Sequence, residues 1–333
     1  METTPAVPLW KRWIAWWLSA IAGALWGCLF RWGLHWKGTA PLIMTLGFLL
    51  LVPFSMGYIA VAQYLRTSAR TEIRWFEWFF LPWLSVVITM AVSAAVKWEG
   101  LICLIFAAPI LLIMSLLGGV LARVTSKRFR NPTAGQLSAL SLPLLVILIE
   151  SHLPSPTSIR TVETDKMIHA PAALVWDNIK SVRAIAPSEL PDSWVTRIGF
   201  PKPMAATLSH EGIGGVRHAT FAGGVLFTET ITAWDPQSDL RFSIHANTHS
   251  IPPTTLDEHV TIGGAFFDVL TGEYRLEPRS DGILLRLVSQ ERVSTHFNPY
   301  AGVWTDAVMR SIQNEILDVI RSRCERQSSL PRR

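Results

Sequence analysis

"MIHAPAALVWDNI", residues 167–179, decides how this chain is read. A short strand-like run ends in Ala-Pro, and an amphipathic stretch follows with Leu174, Val175 and Ile179 on one side. Pro171 stands where a first helical position tolerates it, so the phrase reads as the strand-to-helix corner of a soluble domain. It comes directly after residues 1–150, whose composition is that of membrane-spanning chain.

The 333 residues suffice for two units, each with a core of its own. Half of the chain is hydrophobic, 15 residues are Trp, and mean hydropathy is +0.30. The apolar excess lies before residue 150, and the remainder has an ordinary globular composition. The net charge of +5 comes from basic residues scattered or placed between apolar runs. No basic face interleaved with aromatics emerges, which argues against a nucleic-acid partner.

A bilayer-spanning helix needs roughly 20 apolar residues. Runs at 13–30, 40–62, 79–96 and 101–122 meet that requirement. A further run, 136–152, has a shorter apolar stretch, contains Pro143 and reaches Glu150; it reads as a short span or a re-entrant segment. The first run is too long and too Trp-rich for a cleavable signal, and more spans follow it. Trp10, Trp13, Trp16 and Trp17 at one end of it, with Trp32 and Trp36 at the other, suit interfacial belts. Lys11, Arg12, Arg66, Arg70, Arg74, Arg123, Lys127, Arg128 and Arg130 fall on one side of the bundle, against Arg31, Lys37 and Lys97 on the other. The positive-inside rule then makes the N-terminus cytoplasmic, and a fifth span would carry everything after Glu150 to the extracytoplasmic side. No run holds a paired ionisable constellation in its middle, so the bundle reads as an anchor in the lipid bilayer rather than a pump.

"SHLPSPTSIR", residues 151–160, has the Pro/Ser content of a linker. The expected division is a multi-pass region at 1–153, a linker at 154–160, a domain at 158–327 and a disordered tail at 328–333. Within the domain, period-two alternation marks strands in 204–211, 216–221, 225–236, 239–246 and 266–295, the last a hairpin turning at Ser280-Asp281-Gly282. A helix over 300–327 closes the chain, with Trp304, Val308, Ile312, Ile316, Val319 and Ile320 in one apolar stripe. The order is strand, short helix, about six antiparallel strands and a long helix, an α+β arrangement in which the helix covers the apolar face of the sheet.

"IHAPAALVWDNI", "GIGGVRHATFAGG", "FTETITAWDPQSDLRFSI" and the closing helix together resemble the SRPBCC superfamily, in particular its polyketide cyclase/dehydrase-like members. The resemblance spans residues 158–327 and none of the membrane half. It implies the START-like, helix-grip fold, in which a curved antiparallel sheet surrounds a long C-terminal helix and leaves a cavity. The superfamily is similar in its cavity and not in its chemistry, so no catalytic motif is carried over. The ligand-cavity candidates are Phe227, Ile231, Phe242, Leu285, Trp304, Val308 and Ile312.

Three polar residues fall in otherwise apolar alternation: His218, Glu229 and Glu291. If their faces meet, a desolvated carboxylate beside an imidazole makes a general acid–base group. The competing reading is that they are solvated or locally paired. His245, His249 and His259, with Asp257 and Glu258, lack helical ligand spacing and surround Pro252-Pro253, so they read as loop residues and no metal is expected. The glycine-rich phrases lack the strand–turn–helix setting of a phosphate cradle, so they read as tight turns and no cofactor is expected. Cys28 and Cys103 lie in apolar runs; Cys324 sits among arginines, whose charge favours a thiolate, but it reads as an inert thiol. The functional expectation is a membrane-anchored domain holding a hydrophobic small molecule or lipid. The alternatives are a cyclase/dehydrase-like enzyme and a sensory or structural protein that uses the domain for partner contact.

Overall fold

The computed structural model describes residues 8–34, 40–68, 74–128, 132–247 and 261–329. The chain divides into two compact units, Met1–Pro154 and Ser155–Arg333.

The first unit is helical. It comprises α1 (Leu9–Gly33), α2 (Ala40–Ile43), a π-helical turn (Gly47–Leu51) leading into α3 (Val52–Thr67), α4 (Trp75–Ala95), α5 (Leu101–Arg128) and α6 (Pro132–Glu150). Among the described residues, four segments are long and apolar enough to cross a membrane: Trp10–Gly33, Gly47–Thr67, Trp75–Ala95 and Leu101–Ser126. The apolar part of α6, Leu137–Glu150, is shorter. The second run, expected as one segment, is interrupted after α2, and the span resumes with the π-turn and continues through α3. The Glu150 carboxylate accepts hydrogen bonds there from the Gly47 (2.7 Å) and Leu46 (3.1 Å) amides. Charges otherwise pair near helix ends, Arg12 with Glu77 and Arg31 with Glu99. Close approach of α3 and α5 depends on glycine: a Cβ on Gly57 would lie 1.8 Å from the Ser115 carbonyl oxygen, and one on Gly118 equally near that of Phe54. Such small-residue contacts let helices pack where lipid tails compete for apolar surface.

The second unit opens with β1 (Ser158–Ile168), so the linker is shorter than expected. Then come α7 (Ala172–Lys180), a 3₁₀ turn (Pro187–Glu189), α8 (Trp194–Arg197), β2 (Pro203–Leu208), β3 (Val216–Phe221), β4 (Leu226–Asp235), β5 (Asp239–Ala246), β6 (Phe267–Arg279), β7 (Gly282–Val293) and α9 (Asn298–Ser329). Pro171 is the N-cap of α7, one position before the expected place. The strands form one antiparallel sheet in the order β1-β7-β6-β5-β4-β3-β2. Arg279 pairs with Gly282, so Ser280-Asp281 is a two-residue hairpin loop. The helix α9 continues through Ser329, into the expected tail, and 330–333 lie outside the described residues.

The core sits under the C-terminal half of α9. Leu317, Ile320 and Cys324 pack there with Ile168, Val175, Trp176, Ile179 and the inner residues of β4–β7. Trp176 meets Trp234 edge-on at 5.1 Å, which joins α7 to the end of β4. The quoted corner therefore works as read: Val175 and Ile179, both fully buried, anchor the short helix under α9.

Candidate functional site

Directly paired residues in an antiparallel ladder point to the same face, so the register assigns every inner position. On β7, Ile283, Leu285, Leu287, Ser289, Glu291 and Val293 are all buried, while the residues between them are more exposed. Arg160, opposite Glu291, and Val269, on its other side, share that inner face. On β4, Phe227, Glu229 and Ile231 face inward, and Arg217 on β3 pairs with Glu229.

His218 falls on the other face. It pairs with Thr228, as does His245 from the opposite side, and both imidazoles are exposed. His218 is therefore not brought to Glu229 and Glu291, because adjacent residues of a strand alternate faces and Arg217 takes the inward place. His249, Asp257, Glu258 and His259 lie outside the described residues. Among the described residues no group of His, Cys, Asp and Glu is placed to hold a metal.

Two polar clusters occupy the interior. In the first, Arg217 pairs with Glu229, donates to the Ile179 carbonyl oxygen at 2.7 Å, and lies 4.6 Å above the Phe242 ring. Burial by itself would lower the Arg217 pKa; Glu229 and Tyr274 more than reverse this, and the guanidinium is held above its ordinary value. Tyr274 is raised by burial, against the pull of Arg217.

The second cluster joins sheet to helix. Nε and Nη2 of Arg160 donate to both Asp306 oxygens at 2.7 and 2.6 Å. Gly302 makes room for that guanidinium, since a Cβ there would stand 2.6 Å from its central carbon. The bidentate pair holds Asp306 below the ordinary carboxylate range. Glu291, 5% exposed, lies next to Thr305, Asp306 and Arg160. Burial pushes its pKa up to about 7, and its Oε1 has no hydrogen-bond partner. Two turns further on, Gln313 donates to the Val162 carbonyl and Ser289 Oγ and accepts from Thr164 Oγ1, while Lys166 pairs with Asp318 at 2.9 Å. The helix is thereby stitched to the β1–β7 edge.

Those stitches fix the rotation of α9. At about 100° per residue, Trp304 and Val308 lie about 140–180° around the helix from Gln313. Of the expected stripe, Trp304, Val308 and Ile312 lie off the sheet-facing side, which carries Gly302, Asp306, Gln313, Leu317, Ile320 and Cys324, whereas Ile320 is in the core and Ile316 packs against it. Val308 is buried on the side of the helix covered by the segment between α7 and β2. That segment is clamped by Glu189 to Arg323 and Arg326, and by Ser193 to Ser311. Arg323 and the Ala186 amide hold Glu189 down to about 2. Of the other cavity candidates, Ile231, Phe242 and Leu285 belong to the packed core. Phe227 belongs to a separate cluster with Ala219, Val225, Ala246, Val182 and Ala206. Cys324 is fully buried and burial raises its thiol to about 12, the reverse of the expected effect of neighbouring arginines.

A curved antiparallel sheet, α7 crossing one end and α9 gripped along the β1–β7 side complete the picture. The second unit is a helix-grip domain. No protein-family model and no curated protein matches the chain. Among solved structures it is similar to DynU16, a protein of the dynemicin biosynthetic locus, at 14% identity and TM-score 0.31, covering 50% of this chain and 48% of that one. The chain thus spans about half the length of DynU16. It is also similar to Ara h 8.0201, at 13% identity and TM-score 0.31 over 49% of this chain and 96% of that one. Norcoclaurine synthase from Thalictrum flavum, solved with dopamine and hydroxybenzaldehyde, shares 13% identity at TM-score 0.33 over 52% of this chain and 91% of its own.

The residues that reading by alternation missed are Arg217, Arg160, Asp306 and Gln313. Arg217 had a signal, since it alternates with Ala219 and Phe221 in the same run as His218. The other three become visible only through the pairing of β1 with β7 and of both with α9.

Proposed function

We propose that the helix-grip domain binds a hydrophobic small molecule or lipid between the N-terminal half of α9 and the inner faces of β3–β5, and that the helical unit anchors it at a bilayer. One observation carries this reading. Helix α9 packs on β1, β7 and α7, whereas the inner apolar residues of β3–β5, Ala219, Phe227 and Ala246, cluster without any α9 side chain. The C-terminal half of α9 packs over the inner residues of β4–β7, while the Ala219–Phe227–Ala246 cluster stands apart from the helix, which supports a mostly apolar site with few polar groups there. An anchor in the bilayer keeps such a site beside the phase in which apolar ligands dissolve. The N-terminus is assigned to the cytoplasmic side on the loop charges, and the domain to the opposite side with α6 as a fifth crossing.

Ala219→Phe tests the reading. An open interior accommodates the ring, so the full chain in detergent keeps its melting temperature and loses binding of a fluorescent fatty-acid analogue. A filled interior is overpacked, with a cost of about 1–3 kcal/mol. A destabilised variant that binds the probe as the parent does would contradict the proposal.

A cyclase/dehydrase-like activity has one specific observation in its favour, the Glu291 carboxyl held at about 7, where a general acid–base is most effective. It rests on Glu291 by itself, because Glu229 is committed to Arg217 and His218 faces outward.

A further inference from the structure

Glu291 is the one inner-face carboxyl whose oxygen is left without a partner among the described residues of β7. The groups that face it are Arg160 from β1, Thr305 and Asp306 from α9, and Val269 from β6. Arg160 acts on it only through its charge, since its Nε and Nη2 donate to Asp306. Val269 offers no hydrogen bond. A buried oxygen left in this state forfeits its hydration and gains nothing in return, a cost of about 1–3 kcal/mol. Glu291 stands at the level of the N-terminal half of α9, one strand position beyond Ser289, which Gln313 satisfies. The packed core lies toward the other end of that helix.

We propose that Glu291 Oε1 receives the hydrogen-bond-donating head group of the apolar guest, so that the site selects alcohols or amines over molecules of equal length that lack an N–H or O–H. The inference rests on the binding function proposed above and adds the chemistry of the ligand. The Arg160–Asp306 pair acts as a positioning element: it holds the helix against β1 beside the Glu291 carboxyl, whose Oε1 is the oxygen left for the guest.

The test is displacement of the fluorescent fatty-acid analogue from the full chain in detergent by 1-decanol, decylamine and decyl methyl ether. Wild type is expected to favour decanol and decylamine over the ether by about tenfold. In Glu291→Leu that preference disappears while the probe still binds. In Glu291→Gln, which keeps an acceptor oxygen, the preference for decanol survives. Comparing wild type with variant cancels partitioning into the detergent. Equal competition by alcohol, amine and ether in wild type would overturn the assignment of Glu291 and leave the apolar site standing. A preference that persists in Glu291→Leu would overturn it as well. Failure of wild type to bind the probe at all would overturn both readings.

Discussion

Arg217 and Glu229 form an ion pair across neighbouring positions of β3 and β4, with the guanidinium lying over the Phe242 ring. Both are within the interior, at 3% and 6% exposure, so neither retains useful hydration. Removing one partner leaves the other charge buried and unpaired. Arg217→Met is therefore expected to destabilise the domain by about 3–5 kcal/mol. The double variant Arg217→Met/Glu229→Leu removes both charges and recovers much of that loss. Urea midpoints of the variants check this; an Arg217→Met variant as stable as the parent would show that the pair contributes nothing.

Glu291 gives the domain a pH dependence of definite sign. Its folded-state pKa of about 7 lies above the ordinary 4.5, so the folded protein holds the proton more tightly than the unfolded chain. The associated stability is fully present below about 4.5 and is lost as pH rises through about 7, with a range of roughly 3 kcal/mol. Asp306 is shifted the other way and titrates below this window. Melting temperature should fall between those limits in wild type, and the slope should flatten in Glu291→Gln.

Glu189 bridges Arg323 and Arg326 near the end of α9. Its lowered pKa means that its contribution is present above the ordinary 4.5 and is lost as pH falls through about 2. Glu189→Ala should free the segment between α7 and β2 at a cost of about 1.5–3 kcal/mol. Limited proteolysis between residues 183 and 202 at neutral pH provides the readout, with faster cleavage expected in the variant.

Two glycines at close approaches, Gly302 and Gly57, should respond differently to alanine. At Gly302 the obstructing group is the end of the flexible Arg160 side chain, which can swing aside and loosen the Asp306 pair. At Gly57 the obstruction is the Ser115 backbone, so α3 and α5 must separate. Gly57→Ala is expected to lower the thermal stability of the detergent-solubilised chain clearly more than Gly302→Ala does.

Cys324 should resist a maleimide in the native chain at neutral pH and react only on unfolding, because the thiol is fully buried and raised to about 12.

The fold was legible because its signals are local. Alternation in 216–246, the two-residue loop at Ser280-Asp281 and the Ala-Pro corner at 170–171 each act within a few residues. The site was less legible because it depends on which residues face each other across long separations. His218 and Arg217 are neighbours in a run whose face only the pairing with β4 assigns. The apolar residues Trp304 and Val308 pointed to the wrong side of α9. The sheet-facing side is set by Asp306 and Gln313, polar residues whose partners, Arg160 and Thr164, lie at the other end of the domain sequence. In this helix only the C-terminal part of the apolar stripe, Ile316 and Ile320, marks the face that meets the sheet.

Mass spectrometry of the full chain, purified in mild detergent and then extracted with organic solvent, tests the central claim most directly. The account predicts a stoichiometric apolar molecule bearing a hydroxyl or amine, present in the parent and depleted in Ala219→Phe. An extract holding only detergent and bulk lipid, identical for parent and variant, would contradict it.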